Sequence, residues 1–498
     1  MTDIDSIKPF LAVVVAAVAA LLIARTRGNL KLRESWTIGA AVIQFLLIAS
    51  MLPGVLKGNV YVFTVVEMLP GITIAFKADA LGMLFALTAA FLWIVTSIYS
   101  MGYLRALNEH AQTRFYTCFA VTLSATIGVA FSANLLTLFL FYEIITKATY
   151  PLVSHKETPA AYEGGGKYIW YLVSTSKAFL LPAVILTFVL AGTLDFRPGG
   201  IFPADPVGTE ATLLTVVFFL FIAGFAKAAL IPFHSWLPSA MVAPTPVSAL
   251  LHAVAVVKVG VFSIVKIVFF VFGTETMEHL GVGSVIAYLA SFTILAASII
   301  ALTKNNLKAR LAYSTISQLS YIVLGMAMLT PSGMIGAMIH IANHAFSKIT
   351  LFFCAGSIYA ASGKTDVSQL NGIGKKMPWT MTAFAIGALS MIGMPLFAGF
   401  VTKWYLALGA VEADQMFLLG VLIISSVLNA AYFLPIVSAA FFKDLPPGEA
   451  LVRKESPKRM VVPLMISAGI TLLMFLFPSW SVSLAKLVLA SSSAESIE

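Results

Sequence analysis

Apolar runs of roughly 18–25 residues recur along the whole chain, and no other feature constrains its fold as strongly. Wound as a helix at about 1.5 Å per residue, such a run crosses the hydrocarbon core of a bilayer. Helices are expected near 8–25, 36–53, 81–101, 113–132, 133–153, 168–192, 212–231, 246–272, 282–302, 310–329, 333–360, 379–410, 415–442 and 460–477, with an amphipathic tail at 478–490. That makes about 14 transmembrane helices by the length rule. Hydrophobic residues are 59% of the chain and charged residues 11%, where soluble domains carry about 25% charge. The chain reads as an all-α polytopic membrane protein with one large bundle domain, and the soluble classes are excluded.

A net charge of +9 would suggest nucleic acid in a soluble protein. Here it fits basic cytoplasmic loops, and no nucleic-acid partner is expected. The odd-numbered connections hold clusters such as Arg25, Arg27, Lys31 and Arg33, or Arg453, Lys454, Lys458 and Arg459. The N-terminus and the even-numbered connections hold only Lys8, Lys57, Lys77 and Arg197. This bias places the odd connections in the cytoplasm and both termini on the outer side. The second connection alternates polar with β-branched residues and is expected to form a short outer-face hairpin. Cys118 and Cys354 lie in apolar runs and cannot build a zinc, iron–sulfur or haem-attachment pattern. The opening MTDIDSIKPF lacks the basic region and cleavage site of a secretory signal peptide.

Charges inside the spans are few. The basic ones are Lys147, Lys177, Lys227, Lys258, Lys266, Lys348 and Lys403; Glu143 is the acidic one, with Asp79 at the edge of the third span. Each costs about 2.5–3.5 kcal/mol at the bilayer centre, so such residues usually line a polar interior or an ion pathway. Lys177 and Lys266 lie near helix ends, where snorkelling is the simpler account. Lys227, Lys258, Lys348 and Lys403 lie deeper. His340, His344 and Lys348 recur every fourth residue in HIANHAFSK, within about 80° of one another on one helical face. Each histidine alone would pass for a core residue bonded to a carbonyl. The three together suit a file of proton carriers. Two spans look broken: Lys227 precedes Pro232 in FAKAALIPFHSWLP, and Lys403 follows Pro395 in GMPLFAGFVTKWYL. Transporters use such breaks at their sites, and one break in each half hints at an internal repeat.

These motifs carry a resemblance. HSWLPSAMVAPTPVSALLHA (234–253), NNLKARLAYSTISQLSYI (305–322), HIANHAFSKITLF (340–352) and GFVTKW (399–404) resemble the antiporter-like subunits of respiratory complex I and of Mrp-type multisubunit Na+/H+ antiporters. The resemblance covers roughly residues 75–440, and FYEIITKATYPLVSHKET (141–158) looks closest to the D-type subunits of the Mrp antiporters. It implies 14 helices with two inverted five-helix repeats, helices 4–8 and 9–13, and broken helices 7 and 12. The implied divisions are 1–110, with helices 1–3 and the hairpin; 111–275 and 276–442, the two repeats; and 443–498, the last helix and tail. It further implies that Glu143 pairs with Lys227. Lys258, His340, His344, Lys348 and Lys403 would continue the proton path. His234, His252, Pro232 and Pro395 are supporting residues. Lys147 and Lys177 depart from the pattern, because apolar or small residues are expected there. Lys147 would compete with Lys227 for Glu143 or face a partner's acid.

Three functions follow from the resemblance. The first is proton translocation in a Mrp-type Na+/H+ antiporter. The second is the same module in a complex I-like or membrane-bound hydrogenase machine. The third is an energising role in inorganic-carbon uptake. A bare scaffold with relic charges is set aside by the number of buried ionisable groups. The chain carries no GxGxxG, CxxC set or paired haem ligands, so no cofactor, metal site or redox chemistry is expected within it. Its expected partners are other integral membrane subunits, protons, Na+ and the lipid bilayer.

Overall fold

The computed structural model describes residues 2–448 and 450–495, without the side chains of His252 and 492–495. The expected role of His252 therefore falls outside the described residues. A small sheet opens the chain. Strand β1 (Thr2–Asp5) lies parallel to β2 (Asn59–Leu69), which is antiparallel to β3 (Ile72–Ala78). Pro70 and Gly71 turn the hairpin. Proline presets the first turn position, and Gly71 takes φ +75°, which a side chain would disfavour. The hairpin is as expected; β1, only four residues long, was not foreseen. The amide of Ala133 donates to the carbonyl of Ala75 at 3.1 Å, so the β3 edge is covered by the bundle rather than left open.

Helices α1 (Lys8–Arg25), α2 (Leu30–Ala49), α3 (Ala80–Ala106), α4 (Gln112–Ala130) and α5 (Leu135–Val153) come first. Helix α6 runs Pro159–Thr175, passes through a π-helical turn, Ser176–Leu180, and resumes as Leu181–Ala191. Pro182 offers no amide hydrogen, which loosens the ladder one turn earlier. Helix α7 is Gly208–Gly224 and α8 is Val256–Ile267. Then come α9 (Val282–Thr303), α10 (Leu307–Ala327), α11 (Pro331–Ser362), α12 (Pro378–Ile392), α13 (Ala398–Glu412), α14 (Met416–Phe442), α15 (Lys458–Leu476) and α16 (Ser479–Glu495). The side chains of Asp79, Asn134, Asn306 and Thr330 cap α3, α5, α10 and α11 by accepting from amides three residues on.

Among the described residues, nine helices are long and apolar enough to cross a membrane, or up to ten if the bent pair Val256–Phe272 and Thr274–Leu280 is one span. The other expected spans fall on helices that are too polar (α4, α10) or interrupted (α7, α8 and the α12–α13 pair). The most apolar window of α3 and that of α11 are each 78% buried, against 39% in α1, α14 and α15. The first two form the bundle's axis. They meet where Tyr99 stacks on Phe353 at 4.0 Å and its hydroxyl donates to the Phe353 carbonyl at 2.7 Å. The expected tail is α16, which buries Leu484, Ala485 and Val488.

Candidate ion path

The first broken helix positions Lys227. Helix α7 ends at Gly224, and Lys227 sits in a single 3-10 turn, Ala226–Ala228, before an irregular stretch containing the exposed Pro232. Trp236 Nε1 donates to the Ala226 carbonyl at 3.0 Å and holds this turn. Gly260 of α8 lies against it, and a Cβ there would collide with the backbone of Lys227 and Ala228. Lys227 is fully buried. Its ammonium donates to the Tyr142 carbonyl at 2.5 Å and stands 3.2 Å from the centre of the Tyr142 ring.

Glu143, the next residue on α5, does not hold Lys227, so the expected ion pair is replaced by other contacts. One carboxylate oxygen of Glu143 accepts from the Ser176 hydroxyl. The other lies 3.3 Å from Lys177 Nζ and 3.9 Å from Lys147 Nζ. The physical reason is geometric. The π-helical turn swings Ser176 and Lys177 toward α5, while the 3-10 turn delivers Lys227 to the backbone one residue before the acid. Lys177 thus does more than snorkel, although its side chain remains 49% exposed. Lys266 does not snorkel at all. It is buried, 2.7 Å from Asp79 Oδ2, and ringed by Phe196, Phe262 and Phe270.

The middle of the path is a direct contact. Lys258 Nζ lies 2.7 Å from His344 Nδ1, joining α8 to α11. The His344 and His340 rings are 5.5 Å apart, and His340 is 5.7 Å from the Tyr321 ring. Lys348, one turn further along α11, donates to Ser314 Oγ at 2.9 Å. Tyr432 donates to the same Ser314 oxygen at 3.1 Å and also binds Asn429. The Asn429 amide reaches the Tyr321 hydroxyl at 3.5 Å, and that hydroxyl donates to Ser425 at 2.6 Å.

The second break ends the path. Helix α12 stops at Ile392 and α13 starts at Ala398, with the exposed Pro395 between them. Gly393 at φ +89° and Leu396 at φ +76° make the turn. Lys403 donates to the Ile392 carbonyl at 2.7 Å and to Ser426 Oγ at 2.8 Å, and its ammonium stands 5.4 Å from the Tyr321 ring. The carbonyl end of a helix is a natural seat for a cation. His234 lies apart from this file, half-buried and 6.3 Å from the Tyr313 ring.

Sequence reasoning did not name Tyr142, Ser176, Ser314, Tyr321, Ser426, Asn429 or Tyr432 as site residues. The polar density of α10 and the lone amide Asn429 in apolar α14 were the available signals. Among the described residues, one group of three side chains is placed to hold a metal ion, Glu109, His110 and His155, and it is outside the file.

Residues 132–429 match the family described as NADH:quinone oxidoreductase/Mrp antiporter, TM. The chain belongs to this family. It is 34% identical over 397 residues to NADH-quinone oxidoreductase subunit N of Desulforudis audaxviator (strain MP104C), covering 76% of this chain and 77% of that one. A probable K(+)/H(+) antiporter protein of the A/B type from Rhizobium meliloti (strain 1021) is 30% identical over 86% of this chain, which spans 43% of that relative. A putative antiporter protein, mnhA2, of Staphylococcus haemolyticus (strain JCSC1435) is 28% identical over 86% of this chain, which spans 55% of it. The fold matches a chain of the Mrp complex from Dietzia sp. DQ12-45-1b at TM-score 0.85, 20% identity and 97% coverage of each. It also matches a chain of the membrane-bound sulfane sulfur reductase, an archaeal respiratory membrane complex, at TM-score 0.86, 23% identity and 98% coverage of each. These relatives and neighbours are subunits of multisubunit membrane complexes. The chain is a multi-pass membrane protein of this family.

Proposed function

We propose that this chain is the proton-translocating component of a Mrp-type Na+/proton antiporter, in the position of the D-type subunits, working beside other membrane subunits. The Lys258–His344 contact carries the reading. A buried amine 2.7 Å from an imidazole nitrogen is within range for direct proton exchange. Lys227 lies at one end of the file, and Lys348 and Lys403 lie toward the other. A charge arriving at one site lowers the proton affinity of the next, so protons advance by electrostatic coupling. Glu143 gates the first end. In one state it faces Lys177 and Lys147, and in the other it turns to Lys227 and draws that ammonium off the Tyr142 carbonyl.

In this reading the bundle makes about 14 crossings, each broken helix counting once. The two inverted repeats occupy 111–275 and 276–442, and both termini lie on the outer side. The test is Na+-dependent proton flux in inside-out vesicles holding the complete complex. Wild-type flux that is lost in Lys258→Met at equal assembly supports the reading; undiminished flux in that variant sinks it.

A redox-driven pump is the second reading, supported by the 34% identity to an NADH-quinone oxidoreductase component across 77% of its length. Mass spectrometry of what co-purifies separates the two. Small hydrophobic antiporter subunits favour the first reading, and iron–sulfur or quinone-reactive subunits favour the second.

A further inference from the structure

Helices α3 and α5 both start beside the sheet, so the turn after α3 and the turn after α5 meet at the far end of the bundle. The side chains gathered there do not belong to the proton file. One potential ligand atom from each of Glu109, His110 and His155 lies within 4.8 Å of the other two. The imidazoles of His110 and His155 stack at 5.0 Å with planes 22° apart. His155 is fully buried, and neither of its ring nitrogens makes a hydrogen bond within the protein. A buried imidazole with both nitrogens unused carries a desolvation cost that nothing in the chain offsets. His110 and Glu157 are each nearly half-exposed, with His110 Nε2 3.7 Å from the Glu157 carboxylate. The group thus has a buried inner side and an open outer one.

We propose that Glu109, His110 and His155 form a binding site for a divalent transition-metal ion of the zinc type, with Glu157 or water in the fourth position. Two imidazoles and a carboxylate are a borderline-soft set that suits zinc and not magnesium or calcium. Bonds of roughly 2.0–2.1 Å place tetrahedral ligand atoms about 3.3 Å apart. The side chains must therefore close by at most about 1.5 Å from their present separation of up to 4.8 Å, which rotation of the open His110 and Glu109 supplies. Burial first, then the Arg114 guanidinium, hold the His155 imidazole down at about 4. Neutral imidazole is the ligand form. The His110 carbonyl lies beside the same ring and is placed to orient its second nitrogen, as carbonyls do for metal-bound histidines. Arg114 opposes a cation here, but it is itself ion-paired with Glu157. A bound ion would staple the end of α5, the helix that carries Glu143, to the α3–α4 turn.

The full chain, purified in detergent with a tag free of histidine and stripped with a chelator, is titrated with ZnCl2 by calorimetry. One equivalent should bind with a Kd on the order of micromolar or tighter. The half-exposed substitution His110→Ala and the substitution Glu109→Gln should each weaken binding about tenfold or more, and X-ray absorption should report two imidazole ligands in the wild type. Both variants leave the buried His155 in place, so folding is preserved. Absence of saturable binding in the wild type, or an unchanged Kd in both variants, overturns the site.

Discussion

Asp79 and Glu143 are both buried carboxylates beside lysines in a membrane bundle, yet the fold commits one and leaves the other loose. Asp79 uses both oxygens. One caps α3 through the Gly82 amide at 2.6 Å, and the other binds Lys266 at 2.7 Å. Its lysine is fully buried among aromatic rings. Glu143 spends one oxygen on Ser176, and its second makes no hydrogen bond, although two lysines stand 3.3 and 3.9 Å away. Those lysines are 49% and 66% exposed on the outside of the bundle. A closed pair inside an aromatic cage is a scaffold element. An acid with an unspent oxygen, next in sequence to the residue that seats Lys227, is built to change partners.

The sharpest way to break this contrast is to remove the charge from each acid. Asp79→Asn keeps the cap, because an amide oxygen still accepts from Gly82. It strands Lys266, and breaking a buried pair this way costs about 3–5 kcal/mol. Thermal unfolding in detergent should drop accordingly, while proton flux per folded molecule stays near wild type. Glu143→Gln should do the reverse. Flux should fall on the order of 100-fold, about 2.7 kcal/mol in barrier terms, with thermal stability little changed. If Asp79→Asn abolished flux without loss of stability, the scaffold role would be wrong.

Lys177→Met is the next step down. It removes the nearer of the two cations around Glu143 and frees that acid to turn toward Lys227. We expect the flux rate to change by about tenfold, equal to about 1.4 kcal/mol, together with a shifted pH profile. A variant indistinguishable from wild type would mean that Lys177 is a bystander on the bundle surface.

The parts of this site that sequence carried, and the parts it did not, separate along physical lines. Buried lysines stand out in apolar runs because their cost is high wherever they fall. Lys227, Lys258, Lys348 and Lys403 were therefore legible, as was the one-face spacing of His340, His344 and Lys348. The proline breaks were legible for the same reason, since a lost amide cannot be repaired locally. Which cation meets which acid was not legible. That choice rests on the π-helical turn at Ser176–Leu180 and the 3-10 turn at Ala226–Ala228, each a shift of a fraction of a helical turn. Lys266 was misread as snorkelling because its partner, Asp79, lies 187 residues away in sequence. Hydroxyl relays such as Ser314–Tyr432–Asn429 stayed hidden because serine and tyrosine are common in membrane helices and gain meaning only from contact.

Lys147 gives the finest test of the comparison. It lies one turn after Glu143 on α5, at 3.9 Å, with its side chain 66% exposed. An exposed i, i+4 pair contributes roughly 0.3–0.5 kcal/mol, too little to hold a buried acid against a nearer cation. Lys147→Leu should therefore change flux less than about twofold in the isolated chain, since about 0.4 kcal/mol is a factor of about two. In the complete complex the expectation differs. A lysine facing outward within the bilayer needs a counter-charge, and a carboxylate on a neighbouring protein of the complex would supply it. Co-purification of the complex from Lys147→Leu membranes should then fall while the flux of what remains assembled is preserved. Full assembly together with a large loss of flux would instead make Lys147 a second holder of Glu143, and the acid's loose end would have two keepers rather than one.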